Sequence, residues 1–254
     1  MSDTSLQLWT ASDGVKLAYH EVGEGRPVIL LHGLFSSAQM NWIKFGHADR
    51  IAGEGFRVIM PDLRAHGESG APHDPAKYSA DILVRDLKEL IAHLQLGEFD
   101  LGGFSLGART TIDAVSGGVR PRRAILSGTG VEVLTNWDRR SKFFVDAISR
   151  FDEARRGDPH WLSIQFMRTM NVDLVAAELL LKSLGDHPSP EQALAAFTMP
   201  TLVVCGSEDH ENGSARDFAA ALPNARYEEI PGTHMSSVTK PDLGEAIARF
   251  LAAV

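Results

Sequence analysis

The sequence feature that most constrains the fold is a serine bracketed by two glycines, Gly103-x-Ser105-x-Gly107. The residues just before it have the composition of a short buried strand, and those after it continue as a helix until Gly117-Gly118. A strand that gives way to a helix within one residue needs a strained backbone there, and a Cβ at a flanking position would clash across the turn. The pattern therefore predicts a nucleophile elbow, in which the serine hydroxyl projects clear of both elements.

Along the rest of the chain, apolar strand-like runs alternate with helical patterns. This alternation predicts a mostly parallel sheet with helices on both faces. The predicted strands cover residues 6–9, 15–22, 27–31, 56–60, 99–103, 123–127, 200–206 and 225–230, and the predicted helices cover 38–52, 79–96 and 214–222. A last helix contains Leu243 and Leu251, and Ser79 is the predicted N-cap of the helix over 79–96.

The alternation stops between about residues 131 and 197, where only helical patterns occur. Because no linker sets this segment apart, we interpret it as a helical subdomain inserted into one fold. The predicted core is then formed by residues 1–130 and 198–254, and the insertion by 131–197.

Composition narrows the class of partner. The formal net charge of −8 argues against nucleic acid or an anionic membrane, so we expect a small-molecule substrate. The N-terminus lacks the basic and apolar regions of a signal peptide, and no apolar run approaches the length of a membrane span. We therefore expect a cytoplasmic protein; its oligomeric state is not predicted. The single cysteine, Cys205, lies in an apolar run and suits a buried strand.

A serine hydroxyl needs a base to become a nucleophile at neutral pH, and the base needs a group that orients it. His234 is the predicted base, because it lies in a Pro/Gly turn after the last predicted strand. Functional groups gather at the ends of the strands in a parallel sheet, which is where this turn lies.

The predicted orienting acid is Asp209, which follows the strand over 200–206. Three other carboxylates compete for this role. Glu208 and Glu211 are in the same loop, and Glu132 follows the strand over 123–127. Aspartate in such a loop also serves as a turn or helix-cap residue.

The oxyanion that forms during acyl transfer needs backbone N–H donors. Leu106 follows the predicted nucleophile at a helix N-terminus, where amides point outward. The second donor is expected from the turn after the strand over 27–31, and therefore from Leu34.

Five ordered motifs make the chain resemble the α/β-hydrolase superfamily over nearly its whole length. They are His32-Gly33, Asp62-Leu63-Arg64-x-His66-Gly67-x-Ser69, Gly103-x-Ser105-x-Gly107, Gly206-x-x-Asp209 and Gly232-x-His234. The chain order Ser, Asp, His is the one this superfamily uses. The resemblance implies an eight-stranded, mostly parallel sheet whose second strand is antiparallel, with 131–197 as a cap over the site. It also implies that Arg64, His66 and Gly67 are structural loop residues.

The resemblance implies a serine hydrolase, and a carboxylesterase is the main expectation. Lactonase, thioesterase, carbon–carbon bond hydrolase and cofactor-free perhydrolase activities remain open on the same residues. The serine at the elbow argues against the haloalkane dehalogenase and epoxide hydrolase branches, which use aspartate there. A ligand receptor with little turnover is an alternative from another class. No metal cluster or dinucleotide motif is recognised, so no cofactor is expected.

Two further features bear on the substrate. Arg109 lies four residues after Ser105 and is similar to the elbow arginine of the menaquinone-pathway synthase that eliminates pyruvate, where the arginine can meet a substrate carboxylate. An ion-paired arginine on the helix surface fits the sequence better. The predicted pocket is apolar, and its candidate residues are Phe35, Trp137, Phe144, Trp161, Phe166 and Met170.

Overall fold

The computed structural model describes residues 4–185 and 189–253, so residues 1–3, which enter the localisation prediction, lie outside the described part. A sheet of eight strands forms its centre, in the order β1-β2-β4-β3-β5-β6-β7-β8. The strands are β1 Ser5–Thr10, β2 Lys16–Val22, β3 Arg26–Leu31, β4 Phe56–Pro61, β5 Asp100–Phe104, β6 Ala124–Ser127, β7 Thr201–Gly206 and β8 Ala225–Ile230. β2 runs antiparallel to both of its neighbours, and all the other pairs are parallel. The predicted sheet is therefore confirmed.

Ten α-helices accompany the strands in the described part of the chain. They are α1 His47–Gly53, α2 Ile82–His93, α3 Leu106–Ser116, α4 Trp137–Ser149, α5 Trp161–Thr169, α6 Leu174–Ser183, α7 Pro190–Ala195, α8 Ala215–Ala221, α9 His234–Ser237 and α10 Pro241–Ala252. Short helical turns of other types cover Gln39–Ile43, Pro75–Lys77 and Val131–Leu134. Between β6 and β7, the described residues contain helices and turns but no strand.

Alternate residues of β3 show that the sheet is covered on both faces. Ile29 and Leu31 pack in a cluster with α2 and α3, whereas Val28 and Leu30 pack in a cluster with α1 and α10. All four side chains are at most 1% exposed. Successive side chains of a strand point to opposite faces, so a fully apolar strand needs cover on both sides.

Two helix predictions were wrong in detail. The single helix over 38–52 is instead a π-helical turn, Gln39–Ile43, followed by α1, because Gly46 adopts a left-handed conformation with φ 76° between them. The helix predicted over 79–96 is shorter, and Ser79 is not its N-cap: the Ser79 hydroxyl donates to the Asp81 carboxylate, 2.7 Å away.

The sheet register brings four strand ends together. Leu31 at the end of β3 pairs with Gly103 in β5, and Gly206 at the end of β7 pairs with Ile230 at the end of β8. The loops that follow these strands therefore meet at one edge of the sheet. Among the described residues, no helix is long and apolar enough to cross a membrane.

Candidate active site

Ser105 is the single residue between β5 and α3. Its backbone has φ 54° and ψ −110°, a conformation that non-glycine residues rarely adopt. A Cβ on Gly103 would overlap the backbone of Gly107, and one on Gly107 would overlap the backbone of Leu31. Both glycines are therefore required for this close packing, as the sequence pattern predicts.

The structure brings the three predicted catalytic side chains into one hydrogen-bonded chain. His234 Nε2 lies 3.0 Å from Ser105 Oγ, and His234 Nδ1 lies 2.8 Å from Asp209 Oδ2. Since an ionised carboxylate only accepts, Nδ1 carries the proton and Nε2 is left to accept from the serine hydroxyl. His234 is the first residue of α9, and Thr233 caps that short helix through its side chain.

The environment of Asp209 favours its ionised form. Burial alone raises the pKa of this carboxyl, but the hydrogen bond and charge of His234 and the Glu211 N–H outweigh burial, so the pKa lies below its ordinary value. Its second oxygen accepts from the Glu211 N–H at 3.2 Å. None of the competing carboxylates is a described hydrogen-bond partner of His234. Glu208 is exposed, the Glu211 carboxylate lies 3.7 Å from the Arg140 guanidinium, and Glu132 accepts from the Asn136 side chain at 2.6 Å.

The two residues predicted to donate to the oxyanion border the same cavity as Ser105. Leu106 is the first residue of α3, so its N–H has no acceptor within the helix. In the turn after β3, the described hydrogen bonds use the N–H groups of Gly33, Phe35 and Ser36, and none of them uses that of Leu34. Leu34, Ser105 and Leu106 border the same small cavity, and the donor role of the two amides stays a prediction.

Two buried histidines hold the turn that contains Leu34. His66 Nδ1–H donates to the Arg64 carbonyl at 2.9 Å, and its Nε2 accepts from the Phe35 N–H at 3.0 Å. His32 donates to the Gly33 carbonyl at 2.8 Å and accepts a main-chain N–H from the loop after β4. The resemblance gave His66 a structural role in its own loop, and the structure adds that it fixes the turn beside Ser105.

These histidines predict a loss of stability at acid pH. Burial lowers the pKa of His32 to about 4 and, together with the neighbouring His32, that of His66 to about 3. A histidine of the unfolded chain titrates near pH 6.5. The unfolded chain therefore binds more protons between these values, and the free energy of unfolding falls as pH drops, by at most about 1.4 kcal/mol per pH unit for each histidine.

Denaturant unfolding between pH 7 and pH 4 measures this loss. We expect His66→Gln to flatten the pH dependence, because one of the buried histidines whose pKa is lowered by burial is gone. The exposed His93 provides a matched control, and His93→Gln should leave the slope unchanged. A His66→Gln protein with the wild-type slope contradicts the assignment of a neutral buried His66.

A cavity of about 270 Å³ opens beside Ser105 and His234. Its walls are mostly apolar, and the sequence-predicted residues Phe35, Phe144 and Phe166 line it. The remaining lining residues are Gly33, Leu34, Ser36, Met40, Asn41, Phe45, Phe104, Arg140, Leu162, Ser163, Glu211, Met235, Val238 and Thr239. Trp137 lines the smaller cavity beside Leu34 and Leu106 instead.

Trp161 and Met170, which the sequence also suggested as pocket residues, line neither of these cavities. Leu162 and Phe166, which are four residues apart, share the face of α5 that borders the larger cavity. Trp161 lies about 100° around the helix from Leu162, and Met170 lies beyond the end of the helix.

Arg109 is not the surface residue that the sequence suggested. It is 3% exposed, and its guanidinium donates to the Gly185 carbonyl and lies 3.4 Å from the Asp113 carboxylate. The guanidinium carbon also lies 4.3 Å from the centre of the Trp137 ring. These contacts join α3 to the helices between β6 and β7.

Two polar residues of the larger cavity were missed by the sequence analysis. Asn41 accepts from the Gly33 N–H at 3.0 Å, a contact over eight residues that carries no recognisable sequence signal. Arg140 did have a signal, because it shares a helical face with Trp137 and Phe144 at spacings of three and four residues. In the part of the chain that the structure describes, no three His, Cys, Asp or Glu side chains are grouped to hold a metal ion.

Comparison with known proteins places the chain in a family. A family model described as "alpha/beta hydrolase fold" matches residues 26–116. A non-heme haloperoxidase of Rhodococcus erythropolis is 34% identical, over 88% of this chain and 90% of its own length. A Bacillus subtilis protein that carries the name of a 2-succinyl-6-hydroxy-2,4-cyclohexadiene-1-carboxylate synthase is 26% identical, over 96% and 98%.

A solved structure of a thermophilic esterase from Thermogutta terrifontis is 26% identical, covers 98% of both chains and superposes with a TM-score of 0.73. These matches extend over nearly the whole chain. The strand order and the strand–turn–helix at Ser105 were established independently from the structure. The chain belongs to the alpha/beta hydrolase family.

Proposed function

We propose that this protein is a serine hydrolase that cleaves a small ester-type substrate through a covalent acyl-enzyme, and that it acts mainly as a carboxylesterase. The observation that carries the proposal is the continuous hydrogen-bonded chain from Ser105 through His234 to Asp209, at distances of 3.0 and 2.8 Å. This chain ends at an apolar cavity large enough for a small substrate.

The reaction follows from the roles of the three side chains. Ser105 Oγ attacks the ester carbonyl while His234 Nε2 takes its proton, and the protonated imidazole then gives that proton to the leaving alcohol. Asp209 keeps the proton of the neutral ring on Nδ1 and stabilises the imidazolium. A water molecule, deprotonated by His234, next attacks the acyl-enzyme and releases the acid and free Ser105. Activity is expected to fall at acid pH, because a protonated imidazole cannot act as a base.

The negative charge on the carbonyl oxygen needs donors that are in place before the reaction. We assign this role to the main-chain N–H groups of Leu34 and Leu106. His66 and Asn41 support the assignment, because they occupy the neighbouring N–H groups of Phe35 and Gly33. Only N–H groups that the protein does not itself engage can serve the substrate.

We further propose that residues 131–197 act as a cap over Ser105. Five residues of this segment line the cavity beside the serine: Arg140, Phe144, Leu162, Ser163 and Phe166. Their contacts with the substrate would set its preferred size, while the core supplies the chemistry.

Hydrolysis of p-nitrophenyl acetate and butyrate tests the proposal. We expect a burst of nitrophenol of about one equivalent per protein molecule whenever deacylation is slower than acylation. Rates of hydrolysis measured on short esters, lactones and thioesters show which of these bonds the protein cleaves fastest. A ligand receptor would behave differently, with slow turnover and a ligand-dependent rise in thermal stability, and that combination would contradict the hydrolase proposal.

Perhydrolysis is the second candidate, favoured by the 34% identical haloperoxidase. Hydrogen peroxide would replace water as the group that attacks the acyl-enzyme, and the product would be a peracid. Peracid formation from acetate esters and hydrogen peroxide, measured against acetate release, decides between the two acceptors.

The elimination alternative rested on Arg109. The synthase-named relative supports it, but the geometry does not, since the Arg109 guanidinium is engaged with Gly185, Asp113 and Trp137. Hydrolysis remains the proposal that the site geometry favours.

A further inference from the structure

Arg140 places a positive charge in the wall of an otherwise mostly apolar site. It lies on α4 and lines both the cavity that contains Ser105 and His234 and the smaller one beside Leu34. Its side chain is 21% exposed. Burying a charge is costly unless it is paired, so its partners decide what it can do.

The partners of Arg140 leave its charge incompletely matched. One terminal nitrogen donates to the Glu211 main-chain carbonyl at 3.1 Å, and the other lies 3.7 Å from the Glu211 carboxylate. The Glu211 side chain is 51% exposed, so water screens this pair. Burial holds the pKa of Arg140 below its ordinary value, although Glu211 and Asp209 partly oppose this effect, and the guanidinium remains charged.

The geometry points to Arg140 as the residue that binds a carboxylate of the substrate beside the scissile bond. We propose that the natural substrate is a short ester or lactone that carries a carboxylate. A guanidinium has five N–H donors in a planar fork that matches the two oxygens of a carboxylate. The inference rests on the proposed hydrolase function and adds a substrate class to it.

The smaller cavity places Arg140 close to Ser105. It has a volume of about 20 Å³, which is room for about one water molecule, and Arg140 lines it together with Ser105. Arg109 also borders it, but the Arg109 guanidinium is already paired with Asp113. No carboxylate is among its described lining residues. In the larger cavity, Glu211 is the carboxylate that competes with a substrate for Arg140.

The test compares esters that differ only in charge. Monoethyl succinate and ethyl succinamate place a carboxylate or its neutral amide on the acyl side, and O-acetylglycolate and O-acetylglycolamide do so on the alcohol side. We expect kcat/KM to favour the anionic member by at least about tenfold in one pair. Arg140→Gln should bring that ratio close to one, and Arg140→Lys should restore part of it.

Glu211→Gln is expected to change the preference for the anionic ester in the direction opposite to Arg140→Gln. The substitution keeps the main-chain contacts with Arg140 and Asp209 but removes the competing negative charge, so the preference for the anionic ester should rise. Arg139 is the matched control, since it neighbours Arg140 on α4 but its side chain is 73% exposed. Arg139→Gln should leave the ratio unchanged, and thermal unfolding of each variant verifies its fold.

Three results would overturn the inference. The first is a wild-type enzyme with no anionic preference in either pair, and the second is a ratio that Arg140→Gln leaves intact. The third is an equal loss on both members of a pair, which would show that Arg140 acts on the common chemistry. Failure of the hydrolase proposal looks different: no ester in the set is turned over, Ser105 is not acylated, and the substrate assignment fails with it.

Discussion

Replacing Ser105 with alanine is expected to lower kcat for p-nitrophenyl butyrate by about 10⁶-fold, the size of loss seen when a triad nucleophile is removed from a serine protease. The substitution deletes the atom that lies 3.0 Å from His234 Nε2 and forms the acyl bond. Alanine keeps the Cβ, so the turn between β5 and α3 should persist. Steady-state kinetics and thermal unfolding of the same preparation measure both effects.

Ser116 gives a matched control for this experiment. It lies at the end of α3, and its buried Oγ has no hydrogen-bond partner among the described atoms. Ser116→Ala should therefore retain wild-type kcat. A Ser105→Ala protein that is folded and keeps more than a trace of activity would contradict the covalent mechanism.

Asp209→Asn is expected to lower kcat by about 10⁴-fold with little change in the fold. The Asp209 carboxylate accepts the Nδ1 proton of His234, whereas an amide can donate to Nδ1 and stabilise the other tautomer. The ring then carries its proton on Nε2 and cannot take one from Ser105. The measurement is kcat against pH for the wild-type and variant enzymes.

Two other carboxylates that the sequence allowed as the acid provide controls for this result. Glu208 is exposed beside Asp209, and Glu132 follows β6, where sequence reasoning allowed an alternative acid. Glu208→Gln and Glu132→Gln should each leave kcat within a few-fold of the wild-type value. A large loss in either, with activity retained in Asp209→Asn, would mean that another residue orients His234.

The meeting of the three catalytic candidates in one place could be predicted, because it follows from the direction of the strands. Ser105, Asp209 and His234 each come shortly after a strand, and parallel strands bring such loops to one edge of the sheet. No knowledge of side-chain packing is needed for that step. The glycines around Ser105 added a local constraint that is visible in the sequence itself.

Other features depend on contacts that sequence spacing does not encode. The hydrogen bond from the Phe35 N–H to His66 spans 31 residues, and the break before α1 depends on the backbone of Gly46. Which face of α5 borders the cavity depends on how the helices between β6 and β7 pack. The sequence suggested both Phe166 and Trp161 as pocket residues, and the packing decides that Phe166 lines the cavity while Trp161 does not.

Arg140 shows how a signal that is present in the sequence can be missed. Its spacing from Trp137 and Phe144 marks a shared helical face, but the aromatic residues alone suggested an apolar pocket. The structure places the arginine in the wall of the same cavities, and this position is the basis for the proposed anionic substrate. A charged residue that shares a helical face with aromatic pocket candidates is therefore itself a candidate pocket residue.

The most direct measurement is the reaction of the folded protein with a fluorophosphonate, followed by peptide mass spectrometry. The proposed mechanism predicts one adduct per molecule, on Ser105, because this hydroxyl has the histidine base and the two candidate oxyanion donors beside it. His234→Ala should slow the labelling strongly. An adduct on another residue, or no adduct in folded protein, would contradict the proposal that Ser105 is an activated nucleophile.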